Sequence, residues 1–169
     1  ILEEGADSNF VKEDGTTLVF DILLFDIDKH MVEIFRRFNV NFNHRDKNGN
    51  NVLMKKVSIM EELNYLDQET RNEQLENLRF ILTFVDVNSV NENGDTCLHI
   101  ICKRFGYNDY IALKLFVENG MEPGIRNNKG KLASDYLINK KANFKEESLD
   151  ILNNPNKYKK SGFWSYLGY

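Results

Sequence analysis

Four glycine turns constrain this chain more than any other feature. Gly15, Gly49, Gly94 and Gly130 each sit in a polar turn. The turns read Lys12-Glu13-Asp14-Gly15, Asp46-Lys47-Asn48-Gly49, Asn91-Glu92-Asn93-Gly94 and Asn127-Asn128-Lys129-Gly130. Successive glycines lie 34, 45 and 36 residues apart. A second landmark, a short loop ending at Asn9, Asn43, Asn88 and Gly124, keeps the same spacings of 34, 45 and 36. Two landmarks that drift together define a repeat whose unit tolerates an insertion. Self-similarity near 33 residues means supersecondary units that bury their faces on one another and cannot fold singly.

The sharpest copy is Asn91–Cys102. Gly94 supplies the turn, Thr96 is placed to cap a helix, and Leu98, Ile101 and Cys102 fall on one face of it. Gly94-Asp95-Thr96-Cys97-Leu98-His99 resembles the ankyrin-repeat signature Gly-x-Thr-Pro-Leu-His-x-Ala. Cys97 stands where that family prefers proline, and Ile101 and Cys102 where it prefers alanine. Gly5-Ala6-Asp7-Ser8-Asn9 resembles the same family's Gly-Ala-Asp-x-Asn turn. The resemblance implies an all-α ankyrin-repeat solenoid of about four stacked helix-turn-helix units with hairpin turns. It covers residues 1–140: a partial repeat over 1–11, then units near 12–45, 46–90, 91–126 and 127–153. Residues 154–169 are left as a C-terminal aromatic tail or cap.

Helical spacing of apolar residues predicts the elements within each unit. Unit one carries Thr17–Leu24 and Asp28–Phe38, with Phe20 where the signature has histidine. Unit two carries a helix from about Asn51 and another over Leu75–Phe84. Between them Met60–Glu73 reads as an extra loop, either merely tolerated or, through Leu63, Tyr65 and Leu66, a contact loop. Unit three carries Thr96–Arg104 and about Asp109–Asn119, joined by Phe105-Gly106-Tyr107-Asn108. Unit four carries Ala133–Asn139, with Asp135 in place of the signature histidine, then a more polar helix over Phe144–Asn153 that Asn154-Pro155 ends. Ile1–Gly5 reads as the end of a repeat that begins upstream. The tail is basic at Lys157, Lys159 and Lys160, then aromatic at Phe163, Trp164, Tyr166 and Tyr169. It reads as a cover for the last repeat or as a docking segment.

Composition narrows the function. A net charge of −4 argues against a nucleic-acid partner, because phosphate binding needs a basic surface. No apolar run of membrane-spanning length occurs, and no signal peptide is visible. Two cysteines five apart on one helix point to different faces, so reduced thiols and a cytoplasmic protein are expected, in a host cytoplasm if it is a secreted effector or a viral protein.

Catalysis finds no support in the residues. His30, His44 and His99 lie on different units. The resemblance gives His99 a turn-bracing role, bonded to the backbone of a neighbouring repeat. Cys97, His99 and Cys102 spread around a helix axis and do not converge as metal ligands. No phosphate-cradling glycine loop and no Gly-x-Ser-x-Gly elbow is present. No metal, cofactor or enzymatic activity is expected.

The resemblance instead implies a protein-binding module that uses its concave face and hairpin tips. The candidate contact residues are Glu13, Asp14 and Thr16, then Lys47, Asn48 and Asn50, then Glu92, Asn93 and Asp95, with Lys103, Arg104 and Lys129. Arg104 is the leading single candidate, since hot spots favour arginine. The partner expected is another protein. Two variants stay open: a stand-alone inhibitor or immunity protein that neutralises a toxin or enzyme, and a scaffold domain of a larger enzyme or effector.

Overall fold

The computed structural model describes residues 7, 9–25, 37–60, 63, 66–104, 110–139 and 144–159. Among them are six α-helices and no strand: α1 (Leu18–Phe25), α2 (Val52–Ile59), α3 (Gln68–Leu82), α4 (Cys97–Arg104), α5 (Tyr110–Glu118) and α6 (Lys145–Asn153). Short 3-10 turns occupy Ala133–Tyr136 and Pro155–Lys157. Most of the second helix expected in unit one, the 105–108 linker, residues 1–6, His30 and the aromatic tail from residue 160 lie outside the described residues.

Local chemistry sets the helix starts. Asn51 caps α2 by accepting from Met54 N at 2.9 Å. Asp67 caps α3, accepting from Thr70 N at 2.9 Å and from the Thr70 hydroxyl at 2.7 Å. Those bonds, the hydroxyl's first, hold the Asp67 carboxyl below its ordinary range. At α4 the third helical residue reaches back: Thr96 N donates to His99 Nδ1 at 3.1 Å. At the last unit Leu132 N donates to Asp135 Oδ2 at 2.9 Å in the same way.

The helices that follow the glycine turns pack in sequence, α1 on α2, α2 on α4, and α4 on the Ala133–Tyr136 turn. α3, α5 and α6 lie behind, α3 against α2, and α5 between α4 and α6. One core runs through all of them, with Phe20, Leu53, Leu78, Leu98, Ile101 and Phe116 among its fully buried side chains. Lys56 is buried in it by the length of its stem and donates its ammonium to Leu24 O at 2.6 Å.

Two expectations fail here. The described residues of the segment Met60–Glu73 do not stand off the surface. Leu63 is fully buried and Met60 is nearly so. Arg71 ties the segment down, donating from Nε to Leu63 O at 2.7 Å and from a terminal nitrogen to Leu66 O at 2.9 Å. Residues from Gln68 belong to α3, which starts about two turns earlier than the apolar spacing indicated. The polar run was the solvent side of a helix with a strong cap. Second, Ala133–Asn139 forms only one 3-10 turn, Ala133–Tyr136.

Candidate functional site

The glycine turns share one local geometry. In each, the first residue donates its N–H to the carbonyl four residues on: Lys12 to Thr16 (2.8 Å), Asp46 to Asn50 (2.9 Å), Asn91 to Asp95 (3.0 Å) and Asn127 to Lys131 (3.0 Å). The glycine donates back to that first residue at 2.8–2.9 Å. All four glycines have positive φ, between 68° and 83°. A side-chain oxygen braces three of the turns from inside. Asp46 Oδ1 accepts from Asn48 N and Asn50 N, Asn91 Oδ1 from Asn93 N and Asp95 N, and Asn127 Oδ1 from Lys129 N and Lys131 N. Lys12 cannot accept, and in the first turn Asp14 takes over, accepting from Thr16 N and the Thr16 hydroxyl. The hydroxyl bond comes first in holding the Asp14 carboxyl below its ordinary range.

The second, third and fourth turns lock tip to tip through backbone bonds. Glu92 N donates to Asn48 O at 3.1 Å, and Asn128 N to Asn93 O at 3.0 Å. The next tip crosses so close that a Cβ at Gly15, Gly49 or Gly94 would lie 2.7, 2.9 or 2.7 Å from its backbone nitrogen. Glycine is therefore required twice over, by φ and by space. On the opposite loops asparagines perform a matching clamp. Asn9 accepts from Asn41 N and donates to Asn39 O. Asn88 accepts from Glu122 N and donates to Gly120 O.

Histidines reinforce the ladder. His99 is buried, and its Nδ1 accepts from Thr96, so Nε2 carries the proton. That Nε2 donates to Lys131 O of the next turn at 2.9 Å. His44 Nε2 makes the corresponding contact with Gly15 O at 2.9 Å, in the opposite chain direction. Asp135 accepts from Leu132 N as His99 does from Thr96 N, but it has no second ring nitrogen to reach onward to a neighbouring turn.

The tips thus present pairs of exposed side chains at fixed spacing: Glu13 and Asp14, Lys47 and Asn48, Glu92 and Asn93, Asn128 and Lys129. Other candidate contact residues turn inward. Thr16 is buried against Asp14, and Asn50 is half-buried and bonded to Asp46 and Asn91. Asp95 is only 3% exposed, ion-paired with Lys103 and accepting from Asn127 Nδ2 at 2.7 Å. Lys103 also lies 4.9 Å from the centre of the Tyr136 ring. Arg104 is spent on structure: it donates to Val57 O and, at 2.7 Å, to Met60 O, satisfying carbonyls at the end of α2. A sequence cannot show that a neighbouring unit places those carbonyls within reach of an otherwise exposed arginine.

The bracing residues Asp46, Asn91 and Asn127 each stand three before their glycine, and that shared position is their signal in the sequence. Arg45 and Arg126 precede two of them and donate to the carbonyls of Gly49 and Gly130 at 3.0 and 2.8 Å. Burial pushes the Cys97 thiol well up, which makes it an inert core residue. Among the described residues no group of three or more His, Cys, Asp or Glu could hold a metal, and no helix is long and apolar enough to cross a membrane.

Among the described residues the regular elements are all helical, and helices after successive glycine turns pack on one another. No protein-family model matches the sequence, and no curated protein matches it.

Proposed function

We propose that this chain is an ankyrin-like solenoid that acts without catalysis, as a binding module for a partner protein. The observation that carries the reading is the row of exposed tips, the first packed closely on the second and the other three joined by backbone bonds. Such a row is ordered before a partner arrives, so little freedom is lost on binding. Its charge runs from acidic at Glu13 and Asp14, through Lys47 and Glu92, to basic at Lys129. A patterned polar surface of this kind selects partners by complementarity and speeds encounter. The contact set supported is Glu13, Asp14, Lys47, Asn48, Glu92, Asn93 and Lys129. Asp95, Thr16 and Arg104 drop out because their polar groups are already engaged.

The test is capture of the partner from the native host, followed by calorimetry with Lys47→Glu/Glu92→Lys. Binding should weaken by about 1–3 kcal/mol, the scale of disrupted interfacial charges. The melting temperature should hardly move, since exposed charges contribute little to stability. Undiminished affinity of the double variant refutes the tip assignment.

A further inference from the structure

We propose that Asn48 and Asn93, on the second and third tips, are sites of deamidation in the folded chain, and that Asn119 is not. Asparagine is followed by glycine at 48–49, 93–94 and 119–120. Glycine has no side chain to shield its amide nitrogen, so that nitrogen can reach the asparagine side chain before it. The sequence ranks the three pairs alike, and the structure separates them.

The two tips leave the reacting amide free. Asn48 and Asn93 are exposed, and among the described residues nothing bonds to either side-chain amide. Only the glycine N–H is engaged, Gly49 to Asp46 O and Gly94 to Asn91 O, both at 2.9 Å. Just past the end of α5 both reactants are held. Asn119 is half-buried and its Nδ2 donates to Leu115 O at 2.6 Å, while Gly120 N donates to Val117 O at 3.1 Å. The ladder adds a second difference. Asn48 O accepts from Glu92 N at 3.1 Å, and Asn93 O from Asn128 N at 3.0 Å. Each bond falls on the oxygen of the amide whose nitrogen must attack. It draws electron density from that nitrogen and eases loss of its proton.

The step needs water alone. The glycine nitrogen gives up its proton and attacks Cγ of the asparagine, forming an N–Cγ bond. The Cγ–Nδ2 bond breaks, and ammonia leaves with that proton, closing a succinimide ring. Water then opens the ring at either carbonyl. One opening leaves aspartate, the other isoaspartate, whose main chain runs through the side-chain carbon. Either product puts a carboxylate on an exposed tip where a neutral amide stood. Isoaspartate also displaces the carbonyl to which Glu92 or Asn128 donates. None of this depends on whether the tips bind a partner.

The test is incubation of the whole folded chain in mildly alkaline buffer, beside a sample unfolded in urea. Peptide mapping by mass spectrometry, with aspartate and isoaspartate separated, reads each site. In urea all three asparagines should convert alike. In the folded chain Asn48 and Asn93 should convert about threefold to tenfold faster than Asn119, the rate factor for one more hydrogen bond that must first break. Asn48→Gln/Asn93→Gln should end conversion at both tips, because glutamine must close a larger ring. The proposal is overturned if either tip asparagine stays intact in the folded chain, or if Asn119 keeps pace with them there. Aspartate without isoaspartate refutes attack by the glycine nitrogen.

Discussion

Alanine at Gly94 and alanine at Gly130 should differ sharply, although the two glycines have nearly the same backbone. Both adopt the left-handed region, at φ 72° and 68°, so each substitution costs about 1–2 kcal/mol from backbone strain alone. At Gly130 the cost ends there, since no described residue lies within 4 Å of the new Cβ. At Gly94 the new Cβ would sit 2.7 Å from Asn128 N and 2.4 Å from Asn128 Oδ1. The fourth tip must then move away from the third. That breaks Asn128 N to Asn93 O and Asn128 Nδ2 to Glu92 O. These bonds lie near solvent, so about 0.5–1 kcal/mol each is appropriate. Gly94→Ala should therefore lose about 2–4 kcal/mol, against about 1–2 for Gly130→Ala. At this chain length the gap corresponds to about 2–8 °C in melting temperature. Urea denaturation followed by far-ultraviolet circular dichroism would measure both. Equal destabilisation by the two substitutions would refute the tip-to-tip ladder.

Other substitutions probe other joints. His99→Ala removes the acceptor of Thr96 N, which is buried, and should destabilise by about 2–3 kcal/mol in the same denaturation assay. Leu63→Ala should cost about 2–5 kcal/mol as a core truncation, whereas a surface loop residue would show almost no loss. Asp150 gives a pH signature. The Tyr158 hydroxyl first, then Lys157 and Asn154, hold its carboxyl down at about 2, below the ordinary 3.8. A depressed carboxylate stabilises the fold above 3.8 and loses that contribution as pH falls toward 2. Tyr158 is shifted up by the same contact, so its share is present below its ordinary 10.0 and lost at higher pH. Protection of the Lys157, Tyr158 and Lys159 amides against hydrogen exchange, corrected for the intrinsic pH dependence, should fall at both extremes, and Asp150→Asn should abolish the acid limb.

Sequence alone determined the period, because each tip needs a residue that tolerates positive φ, and the glycines at 15, 49, 94 and 130 are visible as such. It also determined the helices with a one-sided apolar pattern, such as Cys97–Arg104, since burial selects side chains by face. It marked His99 as a brace, and the structure places that ring between Thr96 and Lys131. It misjudged Met60–Glu73, because a polar run reads alike as loop or as the wet side of a helix until Leu63 is seen buried. Which charges stay free was decided only by the tertiary structure. Asp95 and Arg104 looked as available as Glu92 and Lys47, but the first meets Lys103 and Asn127, and the second the exposed carbonyls at the end of α2. Those partners lie 8 to 47 residues away along the chain. Such pairings depend on how units stack, and a local pattern of residue types carries no record of which distant groups the stacking brings together.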